Sequence, residues 1–417
     1  MGTSGVRICA IDQQANCLHT ASQPVPDSTI QGQHVSQHPS DWLKVVDQVM
    51  HTLCEQINPR QVAAIAVDGT SGTVLLTDNQ QTPLTEALMY NDARASEQVQ
   101  QLAALAPDDS PVHSVHAGLP KLLWLDQQST PRTVSHAMHQ ADWISSYFSQ
   151  RPGHSDVNNC LKTGYDPIQH RWPDWVGQLT PLCHWLPQVH PPGTSLGPIA
   201  QNIAEQYGFP YETQIIAGTT DSHAATLATG AQLPGEAVTS LGSTLVMKVI
   251  SEKPIFNKTY GIHSQPYGDY WLVGGSSNAG GAVLRHFFSD ERMASLSTQI
   301  DPSIDTGLNY YPLLTPGERF PINDPRWPAK LTPRPDHDVD FFQGLLEGLS
   351  QIEYNGYQRL TELGAPYPTK VYSIGGGSMN QAWQTIRARY LKTVVTTSQH
   401  NDAAYGTARL AQQGATA

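Results

Sequence analysis

Five short runs of small residues in this chain could cradle an anion: residues 1–5 (MGTSG), 67–73 (VDGTSGT), 217–222 (AGTTDS), 241–244 (LGST) and 374–380 (IGGGSMN). The first begins the chain, and the others follow apolar runs of strand type. Turns that mix Gly with Ser or Thr aim several backbone N–H groups and hydroxyls at one point, as a polyphosphate and its metal require. Any one of them is also an ordinary turn, because Gly tolerates positive φ. One of the five carries an acid, Asp221, beside Thr219, Thr220 and Ser222. A carboxylate at the mouth of a strand can take a proton from a bound hydroxyl. The competing use of such an Asp is to cap the helix that follows.

Other chemistries lack their motifs. There is no Gly-Lys dipeptide and so no P-loop, no GxGxxG after a strand and no HExxH. His113/His116 and His136/His139 have the spacing of helical metal ligands, but no Cys or carboxylate set completes a zinc site. A net charge of −12 argues against nonspecific nucleic-acid binding. It leaves a phosphorylated ligand open, since backbone N–H groups can hold one. The five cysteines, Cys9, Cys17, Cys54, Cys160 and Cys183, are odd in number and unpatterned. That argues against a disulfide framework and for a reducing compartment. No run approaches the roughly 20 apolar residues that span a bilayer, and no signal segment opens the chain. A cytoplasmic protein is expected.

The elements that must position these loops alternate in type. A chain of 417 residues suggests about two or three domains at roughly 150 residues each. SGVRICAID alternates as a strand does. DWLKVVDQVMHTLCEQI puts Trp42, Val45, Val46, Val49, Met50, Leu53 and Ile57 on one helical face. VAAIAVDG reads as a buried strand, and TVLLTDNQQTPL as strand, turn and return. Helical segments are expected near 93–105 and 121–127, and a surface crossing over 181–197. In the second half QIIAG, AVTSLG, TLVMKVI and YWLVGG read as strands and FFQGLLEGLSQIEYNGYQRL as a long amphipathic helix. KVYSIGGGSMNQAWQTIRARYL reads as strand, glycine turn and helix. The Pro-rich stretch 316–335 reads as an insertion. GTSGVRICAID and GSTLVMKVIS are both small-residue turns leading into a strand, one in each half. The pair suggests two domains of like fold, although matches this short also arise by chance. The mixture of hairpins and crossover helices indicates α/β layers.

In order along the chain, these loops resemble those of the FGGY carbohydrate kinase family. Gly2, Thr3, Ser4 and Arg7 match its first phosphate loop, DGTSGT its sugar-contact loop, and YNDAR its W-x-D-x-R segment. AGTTDS matches the loop of the catalytic base, LGST the second phosphate loop, and GGGSMNQAW the adenosine-site loop. NDAAYGTARLA resembles the closing helix. The resemblance implies an α/β fold of two ribonuclease H-like domains, of the actin/Hsp70/hexokinase-type ATPase fold, with an interdomain cleft. The expected domains are 1–227, with 401–417 packing back on it, and 228–400. It further implies ATP and Mg²⁺ as cofactors, with Gly2, Thr3, Ser4, Gly242, Ser243 and Thr244 on the phosphates. Gly376, Gly377 and Asn380 would border the adenosine, Ser71, Gly72 and Ser222 would meet the sugar, and Asp221 would be sugar contact and general base. The metal ligands and the oligomeric state stay open. The wording of DGTSGT, GERFPINDP and SLGST is most similar to cyanobacterial and plant pentulose kinases. That implies D-ribulose as substrate, with D-xylulose or a non-catalytic sugar- or nucleotide-binding role as alternatives. An actin- or Hsp70-like ATPase with a protein partner finds no peptide-binding domain or polymerisation insert in the sequence.

The first loop raises a further expectation. In the family it follows a central strand ending in Asp, which helps hold the magnesium–phosphate assembly. The matching position falls just before Met1. A start upstream of Met1, encoding an apolar strand and that Asp, is therefore expected. The alternative is a relative that has lost catalysis.

Overall fold

The computed structural model describes residues 1–128 and 133–416. The chain forms two compact units. One runs from Met1 to Ala228 and takes in the carboxy-terminal segment from Asp402; the other is Thr229–Asn401.

In the first unit the strand Gln214–Thr220 lies between Ala64–Gly69, which it pairs in parallel, and Ser195–Pro198, which it pairs antiparallel. The strands Gly5–Ile11 and Cys17–Pro24 form an antiparallel hairpin. A five-stranded antiparallel sheet includes Val74–Thr77 and His136–His139. The helix Pro39–Cys54 buries Trp42, Val45, Val46, Val49, Met50 and Leu53, the face its periodicity predicts. The segment 93–105 is helical only over Ser96–Leu102, and the next helix is Gly118–Asp126. The crossing 181–197 is exposed or half-buried at all but two residues and contributes the short strand Gln188–His190.

The helix Asp221–Ala228 begins directly where the strand Gln214–Thr220 ends. Against it lies the carboxy-terminal helix Ala403–Thr416. Their approach is set by Gly406, where a Cβ would lie 1.8 Å from the Ala224 carbonyl oxygen. Only a glycine lets these backbones come so close.

The second unit is built on a six-stranded sheet. Gln265–Tyr267, Tyr270–Ser276, Leu245–Ser251 and Glu236–Leu241 form its antiparallel part, and Lys370–Ile374 and Val394–Thr397 extend it in parallel. The long helix Asp338–Glu362 covers it, burying Phe341, Phe342, Leu345, Leu346, Leu349 and Ile352. Gly356 brings this helix onto the sheet, where an added Cβ would lie 2.3 Å from Met247 Sδ. The stretch 316–335 is anchored to this unit at Gly317, Glu318, Phe320 and Pro321, which are buried, while 322–335 is exposed or half-buried. Phe320 is fully buried in the core. The buried Glu318 carboxylate accepts hydrogen bonds from Ser277 Oγ (2.6 Å), the Asn278 N–H (2.8 Å) and Tyr311 OH (2.9 Å). Among the described residues no helix is long and apolar enough to cross a membrane.

Candidate active site

A pocket of about 350 Å³ opens in the first unit. Gly2 and Ser4 line it, with Arg7 of the hairpin, Asp68 at the end of the strand Ala64–Gly69, Asp221, and Asp402 ahead of the carboxy-terminal helix. The geometry thus brings Gly2, Ser4 and Asp221 together. Thr3 is outside the lining, and its carbonyl accepts a bond from Gln37 Nε2 at 3.0 Å. Asp221 is the first residue of its helix and is half-buried, and its Oδ1 accepts the Ser222 N–H at 2.6 Å. Ser222 itself is exposed. The Asp221–Ser222 bond reaches only the adjacent residue and not the second or third helical N–H that a cap takes.

Asp68 was not among the expected site residues. It is 5 % exposed. Its Oδ1 lies 2.7 Å from the Met1 ammonium, and its Oδ2 accepts from Thr407 Oγ1 at 2.5 Å. A charge closing the apolar run VAAIAVDG was its sequence signal. Among the described residues no group of three or more His, Cys, Asp or Glu is set to hold a metal. Magnesium in a kinase is bound by phosphate oxygens plus one or two carboxylates, and the pocket lining has those in Asp68 and Asp221.

Ser71 and Gly72 lie outside this lining, in the loop after Gly69. Gly72 is buried at φ +86°, and its carbonyl accepts Lys121 Nζ at 2.8 Å. The same ammonium donates to the Met89 carbonyl at 2.6 Å. Lys121 therefore ties the Gly72 loop to the start of the Tyr90–Arg94 segment. There Asp92 pairs with Arg94 and accepts the Val35 N–H. Sequence reasoning missed Lys121 as well, although a single Lys within GLPKLLWLD was the sign. Around the same strand ends three buried side-chain atoms have no hydrogen-bond partner among the described residues: Gln140 Nε2, Asn158 Oδ1 and Thr220 Oγ1. Two of them flank the strand end at Gly69–Thr70, while Asn158 bonds Thr219, whose side chain leaves the strand on the face opposite Thr220. Gln140 Oε1 accepts the Thr70 N–H, Asn158 Nδ2 donates to Thr219 Oγ1, and Thr220 stands opposite Gly69 in the ladder. Native buried polar groups are nearly always satisfied by protein or water, so each of these atoms can take a bond from a polar guest or a water.

Burial pushes the Lys121 ammonium down to about 7, against the opposing pull of Asp92. Its ordinary value is 10.5. Between these limits the unfolded chain holds a proton that the folded one does not, so stability rises with pH through the window. The urea midpoint should climb from pH 7 to 10 more steeply in wild type than in Lys121→Met. Parallel pH profiles for the two would contradict this account of Lys121.

In the second unit Gly242, Ser243 and Thr244 form the turn between Glu236–Leu241 and Leu245–Ser251. Gly375, Gly376 and Gly377 follow the parallel neighbour Lys370–Ile374, so both loops leave the same sheet edge side by side. They are packed through missing Cβ atoms. One on Gly377 would lie 2.9 Å from Leu241 Cβ, and one on Gly281 would lie 2.8 Å from the Gly242 carbonyl oxygen. Arg285 Nη2 donates to Ser243 Oγ at 3.0 Å. The result is a backbone-rich, partly cationic edge that suits phosphates. The Asn380 side chain is engaged on both sides. Its Oδ1 caps the next helix through the Trp383 N–H (3.0 Å), and its Nδ2 donates to Ser297 Oγ (2.9 Å).

The profiles described as "FGGY family of carbohydrate kinases, N-terminal domain" and "C-terminal domain" match residues 1–228 and 237–414. A xylulose kinase of Staphylococcus epidermidis (strain ATCC 12228 / FDA PCI 1200) is 21% identical, over 99% of this chain and 86% of its own length. A xylulose kinase of Bacillus subtilis (strain 168) is 24% identical, over 99% and 87%. Among solved structures, one described as a "xyloylose kinase" from Brucella ovis superposes with a TM-score of 0.88 at 21% identity, over 100% of this chain and 89% of that one.

Proposed function

The chain belongs to the FGGY family of carbohydrate kinases, and from that premise we propose that it transfers the γ-phosphoryl group of ATP to a hydroxyl of a ketopentose. The observation that supports the sugar end of this reading is that Gln140 Nε2 and Thr220 Oγ1, buried and without a hydrogen-bond partner among the described residues, flank Gly69 and Thr70 just ahead of Ser71–Gly72. Amide and hydroxyl groups of that kind suit a polyhydroxylated guest, and ligands of α/β sheets commonly sit beyond the carboxyl ends of the strands.

In this reading Ser71, Ser222 and the backbone at Gly72 orient the sugar. Asp221 accepts the proton of the attacking hydroxyl. Gly2, Thr3, Ser4, Gly242, Ser243 and Thr244 take phosphate oxygens, while Gly376, Gly377 and Asn380 border the adenosine. Bound magnesium, held through Asp68 of the same lining, would neutralise phosphate charge. Phosphoryl transfer asks for positioning and charge neutralisation more than covalent help from the protein. The wording of the loops supports D-ribulose as the sugar. The names of the relatives support D-xylulose at least as well. Sugar-dependent ADP release over a panel of both, with glycerol, gluconate and D-ribose, tests the reading.

A further inference from the structure

The hairpin Gly5–Ile11/Cys17–Pro24 holds an irregularity that the proposed reaction does not use. Cys9 faces Thr20 and Ala10 faces His19, so in regular pairing Ile11 would face Leu18. Side chains alternate between faces along a strand, and Cys17 would then leave on the face away from Cys9. The register slips at this point. Ile11 faces Cys17, and Leu18 becomes an extra residue. A bulge of this kind re-aims the side chains beyond it. Here it turns Cys17 onto the face of Cys9, as its diagonal neighbour, a position from which side chains can touch. The two sulfurs lie 3.5 Å apart. Both thiols are free; Cys17 is exposed and Cys9 half-buried.

We propose that Cys9 and Cys17 are a reversible disulfide site, closed by a low-molecular-weight disulfide such as oxidised glutathione. Exposed Cys17 reacts first. Its thiolate attacks one sulfur of the glutathione disulfide, that S–S bond breaks, and one glutathione leaves and takes up a proton. Cys9 then gives up its proton and attacks Cys17 Sγ. The Sγ–Sγ bond forms and the second glutathione leaves as a thiol. Two electrons pass from the cysteine pair to the glutathione disulfide, and two thiols are consumed for two released. Burial and the neighbouring Cys17 push the Cys9 thiol up to about 12, which fits Cys17 as the first to react. An exposed pair of this type belongs with labile disulfides and not with structural ones. The bond would fasten the two strands two residues beyond Arg7, whose guanidinium contacts Asp402 at 3.5 Å.

The test uses the full chain, reduced and then equilibrated with oxidised glutathione, alkylated and digested with trypsin. Residues 8–44 form one tryptic peptide containing both cysteines and no other, while Cys54 falls in the next. The expected product is that peptide unalkylated and lighter by two hydrogens, with reduction restoring two alkylation sites. Further cleavage before Asp12 should leave two halves joined. In Cys17→Ser, Cys9 should alkylate fully after the same treatment. If Cys9 and Cys17 in the wild type each alkylate, or each carry glutathione, the proposal is overturned. Cys54, Cys160 and Cys183 report any general oxidation in the same digest.

Discussion

Replacing Asp221 by Asn is expected to lower sugar-dependent ADP release by about 10²–10⁴-fold, the usual worth of a positioned general base, with nucleotide affinity unchanged. The substitution isolates basicity from architecture. Asp221 Oδ1 accepts the N–H of Ser222 at the start of the helix, and the carbonyl oxygen of an Asn at this place can accept the same bond. The amide nitrogen cannot take the proton of an attacking hydroxyl. Steady-state kinetics over the best sugar, together with calorimetric nucleotide binding, measures both halves. Loss of less than about tenfold in kcat would remove Asp221 from the base role, since general bases are worth at least about 10².

The largest effect on stability is expected at Arg387. It is fully buried in the second unit and forms a two-pronged pair with Glu353, Nε to Oε2 at 2.6 Å and Nη2 to Oε1 at 2.7 Å. Arg387 Nη1 also donates to Ser373 Oγ, and Thr239 Oγ1 donates to Glu353 Oε1. The pair thus joins two helices to two sheet strands beneath the Gly242 and Gly375 loops. Arg387→Met strands the Glu353 carboxylate in the core and should cost about 3–5 kcal/mol. For a unit of this size that lowers Tm by about 6–20 °C. The double substitution Glu353→Met/Arg387→Met should recover much of the loss, because the stranded charge, and not the absent ion pair, carries most of it. A melt in which the single variant loses nothing, or the double variant is no better than the single, would contradict this.

What the sequence revealed of fold and site follows from the range of the forces involved. The helix Pro39–Cys54 was legible because its buried face repeats every three to four residues, and the strands Ala64–Gly69 and Leu245–Ser251 because they are apolar runs bounded by small residues. The small-residue loops were legible because backbone approach of the kind seen at Gly281 and Gly377 excludes any Cβ. Asp68 and Lys121 were not, because their burial is set by partners far along the chain, Thr407 for one and the Gly72 and Met89 carbonyls for the other. Nor does local polarity reveal that Phe320 and Glu318 anchor a Pro-rich stretch in the core. The cysteine count argued against disulfides, yet it could not show that one inserted residue, Leu18, turns Cys17 toward Cys9.

The central claim is that this chain is an ATP-dependent ketopentose kinase. The most direct measurement is ADP release by the purified chain with Mg²⁺ and ATP, across D-ribulose, D-xylulose, glycerol, gluconate and D-ribose. The predicted result is release stimulated by the two ketopentoses well above the other three, with the better of the two naming the substrate. Equal stimulation by all five, stimulation by a non-ketopentose alone, or no sugar-dependent release while sugar or nucleotide still binds by calorimetry would contradict it.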